Sequence, residues 1–64
     1  MNIDTESGIN KDSATRLRNE AKMSQREFWL SVGASQPTGC RYEMGVPIPK
    51  SVRILVYLRF VLGL

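Results

Sequence analysis

The sequence predicts an all-α domain, a compact bundle of four short helices in which the middle two form a helix-turn-helix. Three observations lead there. Ser24, followed three residues later by Glu27, is a capping box that opens a helix, and Gly33 supplies the left-handed turn that ends it. Ser35 can cap the next helix, with Pro37 in its first turn, where a missing N–H costs nothing. Gly45 closes that helix, so Ser24 to Gly45 reads as two short helices held at a fixed angle by a turn, an arrangement that can place a helix in the DNA major groove.

The other elements follow in chain order. Residues 1–11 are rich in Asn, Asp, Ser, Thr and Gly, with Ile3 and Ile9 as apolar anchors, and are expected to be a flexible N-terminal arm ahead of a domain over 12–64. Asp12 or Ser13 can cap the first helix; Ala14, Leu17 and Ala21 mark its buried side, and it should stop near Lys22 or Met23. Phe28, Trp29 and Val32 form the apolar stripe of the second helix. The third runs from about Gln36 to Met44, and the two prolines between Val46 and Pro49 require an extended connector. From Lys50 or Ser51 onward, Val52, Leu55, Leu58 and Leu62 recur at helical spacing and define a fourth helix.

A chain of 64 residues makes one domain near the lower limit of independent folding, so its helices must share one thin core or borrow burial from a partner. Its net charge is +3, and since Asp4 and Glu6 precede every Lys and Arg, the folded part is more basic than the whole. Such a balance suits a polyanionic partner. The single cysteine, Cys40, cannot form an internal disulfide, and the lack of histidine argues against zinc, so a reducing, cytoplasmic setting fits best. No segment has the order of a signal peptide, and the apolar run from Ile54 to Leu64 is interrupted by Arg59 and too short to span a bilayer. With no histidine, no close pair of inward carboxylates and no phosphate-cradling glycine loop, neither catalysis nor a cofactor or metal is expected.

Ser24-Gln25 opening one helix, Gly33 at the turn, Ser35-Gln36 opening the next, and Arg41-Tyr42-Glu43 ahead of Gly45 and Pro49 resemble, in that order and spacing, the lambda repressor-like (Cro/repressor, XRE) helix-turn-helix family. The resemblance covers about Ala14 to Leu62 and implies a sequence-specific DNA binder of a family whose members are usually dimeric repressors of phage or bacterial operons. The family's base contacts, carried over residue by residue, fall on Gln36, Pro37 and Arg41. The Gln36 amide can pair with an adenine edge and the Arg41 guanidinium with guanine O6 and N7, whereas Pro37 offers only apolar contact, for example to a thymine methyl. The bland alternatives are a solvated helix-start residue for Gln36 and a surface ion pair for Arg41. Phosphate contacts are expected from Gln25, Ser35, Thr38 and Lys50, with Arg26 either joining them or standing as a solvated charge. The resemblance also implies a structural ion pair between Arg18 and Glu43, costing about 3–5 kcal/mol to break if buried and worth under about 1 kcal/mol if exposed.

Two positions depart from the family, which usually has a small residue at the place of Trp29 and a branched aliphatic at that of Gly39. The indole can occupy the volume a side chain at position 39 would fill; otherwise Gly39 simply weakens its helix by about 1 kcal/mol. Cys40 admits a redox-switch reading and the simpler one of a small residue close to the DNA backbone. The last helix is apolar on nearly its whole circumference and so must be buried on more than one side. Leu55, Leu58 and Leu62 are assigned to the core, leaving Val56, Tyr57, Phe60 and Val61 for a homodimer interface, which would set two recognition helices on an inverted-repeat operator. The competing function is an antitoxin or inhibitor that docks on a partner protein through this helix. Minimal size favours an autorepressor of a short mobile-element operon, and the chain is similar in kind to the phage anti-CRISPR-associated regulators.

Overall fold

Side-chain caps set three of the four helix starts. The computed structural model describes residues 5–64, and among these the α-helices are α1 (Lys11–Glu20), α2 (Gln25–Ser31), α3 (Gln36–Met44) and α4 (Lys50–Val56). A 3-10 turn, Glu6–Gly8, precedes α1, and a π-helical turn, Tyr57–Val61, continues α4. The α1 cap is Asn10, two residues earlier than Asp12 and three earlier than Ser13: its side chain accepts from the backbone N–H groups of Asp12 and Ser13, both at 2.9 Å. Ser13 is instead the third residue of that capping box, its hydroxyl accepting from the Asn10 N–H at 2.8 Å and donating to the Gly8 carbonyl at 2.9 Å. Ser24 and Glu27 form the reciprocal box of α2, and Ser35 caps α3.

The first three helices end alike, with a left-handed residue and a six-to-one backbone bond. Met23 N–H reaches the Arg18 carbonyl at 3.1 Å, Ala34 N–H that of Trp29 at 2.8 Å, and Val46 N–H that of Arg41 at 3.0 Å. Gly33 takes the left-handed position of α2 at φ +85°, but in α1 that position belongs to Lys22 at φ +57°.

The core comprises Ile9, Ala14, Leu17, Phe28, Trp29, Val32, Ala34, Tyr42, Ile48 and Val56. A chain of rings runs through it. Phe60 stacks on Phe28 with centroids 4.4 Å apart, Phe28 meets Trp29 edge-on at 5.0 Å, and Trp29 meets Tyr42 at 5.3 Å. The C-terminal turn is thereby connected through α2 to α3.

Three expectations need correction. The arm expected over 1–11 is, from residue 5 on, part of the fold: Ile9 is buried, Glu6 pairs with Arg53 of α4 at 2.8 Å, and Lys11 already belongs to α1. Residues 1–4 lie outside the described part. Ala21, expected on the buried side of α1, is exposed, because the helix has ended by that point.

The third correction reverses the faces of the last helix. Val56 is fully buried, and Val52, Tyr57, Phe60 and Val61 pack against the core, so the residues assigned to a dimer interface face inward. Leu55, Leu58 and Leu62, assigned to the core, are exposed together with Ile54. In a helix apolar all round, the spacing 52, 56, 60 is as regular as 55, 58, 62, so periodicity cannot choose between them. The choice is made by the Phe60–Phe28 stack and by the π turn, closed by Leu62 N–H on the Tyr57 carbonyl at 3.0 Å, which adds a residue to the turn.

Candidate nucleic-acid interface

The α2–turn–α3 unit presents one side of α3 to solvent and ties the other to the domain. Outward stand Gln36, Pro37, Arg41 and Met44, all exposed, with Cys40 half-buried among them. Inward stand Gly39 and Tyr42, both buried, and the Glu43 carboxylate. No aliphatic side chain of α3 enters the core.

Glu43 takes the place of such an anchor. Its Oε2 accepts from Arg18 Nε at 2.9 Å and from Trp29 Nε1 at 2.8 Å, and its Oε1 from Arg18 Nη2 at 3.0 Å and Gln25 Nε2 at 3.2 Å. Helices α1, α2 and α3 thus meet on one carboxylate. Burial alone would raise its pKa, but the hydrogen bonds from Arg18, Trp29 and Gln25 and the Arg18 charge outweigh it and hold the group below its ordinary 4.5. Arg18, whose side chain is 18 % exposed against 8 % for Glu43, donates further to the Met23 carbonyl at 3.3 Å.

Gly39 lies directly beneath the indole. A Cβ built there would overlap Trp29 Cγ and Cδ1 and stand 2.6 Å from Trp29 Cβ. The large residue in α2 and the absent side chain in α3 are therefore complementary, and the two departures occupy one volume.

Among the described residues, Gln36 and Arg41 make no side-chain hydrogen bond and Arg41 no ion pair, so both sets of donors are turned to solvent. The Gly33 turn and the Ser35 cap fix where they begin: Ser35 Oγ accepts from Thr38 N–H at 3.4 Å and lies 2.9 Å from Thr38 Oγ1. Arg26, Ser35 and Lys50 are exposed, Thr38 is half-buried, and Gln25 directs an amide N–H at Glu43 rather than standing free. The Cys40 thiol lies 4.0 Å from the Met44 thioether.

Sequence reasoning passed over two features. One is Met44, 77 % exposed on the outward stripe, although its place two turns beyond Gln36 was a usable signal. The other is the Trp29–Glu43 bond. A buried indole N–H needs an acceptor, and Glu43 is the single carboxylate of α3.

Residues 15–59, well over half of the chain, match the family described as the RsaL-like helix-turn-helix domain, over a span from within α1 to the π turn. No curated protein and no solved structure matches the chain significantly. Among the described residues no group of acidic or cysteine side chains could hold a metal ion, and no helix is long and apolar enough to cross a membrane.

Proposed function

The chain belongs to the RsaL-like helix-turn-helix family, and from that premise we propose that it is a sequence-specific DNA-binding transcriptional regulator of lambda repressor-like type. It acts without catalysis or cofactor, as a homodimeric autorepressor on an inverted-repeat operator of a phage or bacterial operon, in the cytoplasm. The observation that carries this reading is the outward stripe of α3, where the Gln36 amide and the Arg41 fork stand without internal partners while every buried residue of the helix faces the domain. Arg26, Lys50, Ser35 and Thr38 flank that stripe in the chain and serve the phosphates, and Pro37 supplies apolar contact.

A half-site read by one short helix is weak, and dimerisation doubles it. Ile54, Leu55, Leu58 and Leu62, the apolar residues α4 and its extension leave in water, are the surface we assign to the second copy. A partner protein docked on the same stripe is the alternative, and it would leave α3 without a role.

Selection from a random-sequence duplex library tests the reading. The expected product is a two-fold symmetric site with half-sites about one helical turn apart, whose affinity falls steeply with salt. A protein that enriches no sequence, or binds every duplex alike, contradicts it.

A further inference from the structure

Every buried residue of α3 meets one side chain. Gly39 presses its backbone against the Trp29 ring, Tyr42 lies edge-on to it at 5.3 Å, and Glu43, the third inward residue, accepts the Trp29 N–H at 2.8 Å. No aliphatic side chain of α3 adds a further anchor. Rotation of α3 about its own axis is therefore restrained by what Trp29 and Glu43 hold. Glu43 and Arg41 are two residues apart and point to opposite sides, so a rotation that moves one inward moves the other across the groove.

We propose that the indole N–H of Trp29 is a positioning group for base readout: by fixing Glu43 it sets the rotation of the recognition helix, and with it the aim of Arg41 and Gln36. The role rests on the DNA-reading function argued above. It differs from packing, since the ring volume serves the core while the N–H serves the angle. The Arg18–Glu43 pair holds the same carboxylate from α1, and from α2 both Gln25, at 3.2 Å, and Trp29, at 2.8 Å, donate to it; of these two the Trp29 N–H is the shorter bond and the one carried by a fully buried ring, on the helix against which α3 must keep its angle.

The test separates the N–H from the ring. The chain, with a single tryptophan, is made with benzothienylalanine at position 29, which keeps the bicyclic shape and replaces the N–H by sulfur, and Trp29→Phe is prepared beside it. Affinities are measured for the duplex the wild type selects and for a scrambled duplex, at one salt concentration and well below the melting temperature. The expected result is a preference for the selected duplex reduced about tenfold, equal to about 1.4 kcal/mol, with scrambled-duplex affinity and its salt dependence unchanged. Restoring tryptophan to the synthetic chain restores the preference. A folded benzothienylalanine chain that keeps the wild-type preference overturns the proposal, even if Trp29→Phe fails to fold. So does equal loss of affinity for both duplexes. A wild type that selects no duplex overturns the DNA-reading function itself, and this role with it.

Discussion

The Trp29 indole and the bare backbone of Gly39 share one volume: the Cβ that Gly39 lacks would fall on the Cγ and Cδ1 atoms of the ring. Those atoms lie at the root of the side chain. They cannot swing aside without moving the ring from Phe28 and the N–H from Glu43.

Gly39→Ala should therefore destabilise the protein, although alanine would ordinarily gain about 1 kcal/mol in a helix. Overpacking is expected to cost roughly 1–3 kcal/mol net, and Gly39→Ile more, read from urea midpoints. Trp29→Ala paired with Gly39→Ile should recover part of the loss of each single change, giving a favourable coupling in a double-mutant cycle. Additive losses would mean that the two positions do not share space.

Glu43 makes stability sensitive to acid. Its folded pKa lies below the ordinary 4.5, so the stability it contributes is complete above that pH and is lost as pH falls through the lower, folded value. Glu43→Gln should flatten the acid limb of a stability-against-pH curve. Arg18→Ala, which leaves the carboxylate with one charged partner fewer, should cost about 3 kcal/mol at neutral pH.

Lys22 holds the left-handed position that ends α1, at φ +57°, where a side chain is strained. Lys22→Gly is expected to raise stability by roughly 1 kcal/mol, seen as a higher urea midpoint with unchanged slope. A lower midpoint would show that the Lys22 side chain carries contacts outweighing the backbone strain.

The two sides of α4 and its extension should respond oppositely. Val56→Ala opens a cavity in the core, where Val56 is fully buried, and should cost about 2 kcal/mol, while Leu58→Glu, at an exposed position, should leave the folded monomer intact. In sedimentation equilibrium the wild type is expected to run as the proposed dimer and Leu58→Glu to shift toward monomer. A Leu58→Glu protein that remains fully dimeric would place the second copy elsewhere.

Local signals were the legible ones. Ser24 with Glu27, Ser35 with Pro37, and Gly33 and Gly45 each act within a few residues, and they gave the bounds of α2 and α3 directly. The compensation of Trp29 by Gly39 was also readable, because both depart from one pattern. What escaped depends on contacts distant in sequence. Nothing near Ile9 or Glu6 reveals that Arg53, far along the chain, will hold the N-terminal turn against α4. The last helix offered two equivalent apolar stripes, and the Phe28 ring that decides between them lies in another helix. Gln25 stands at a helix start, the place of a phosphate ligand, but the acceptor of its amide, Glu43, lies in the next helix.

In the proposed function the outward stripe of α3 reads sequence. This role is tested most directly by the anisotropy of a labelled, library-selected duplex titrated with the wild type and with Arg41→Ala, each against a scrambled duplex at the same salt. Arg41→Ala is expected to lose about tenfold or more of the preference while keeping its fold and its scrambled-duplex affinity nearly intact. An Arg41→Ala protein that discriminates as well as the wild type would contradict it.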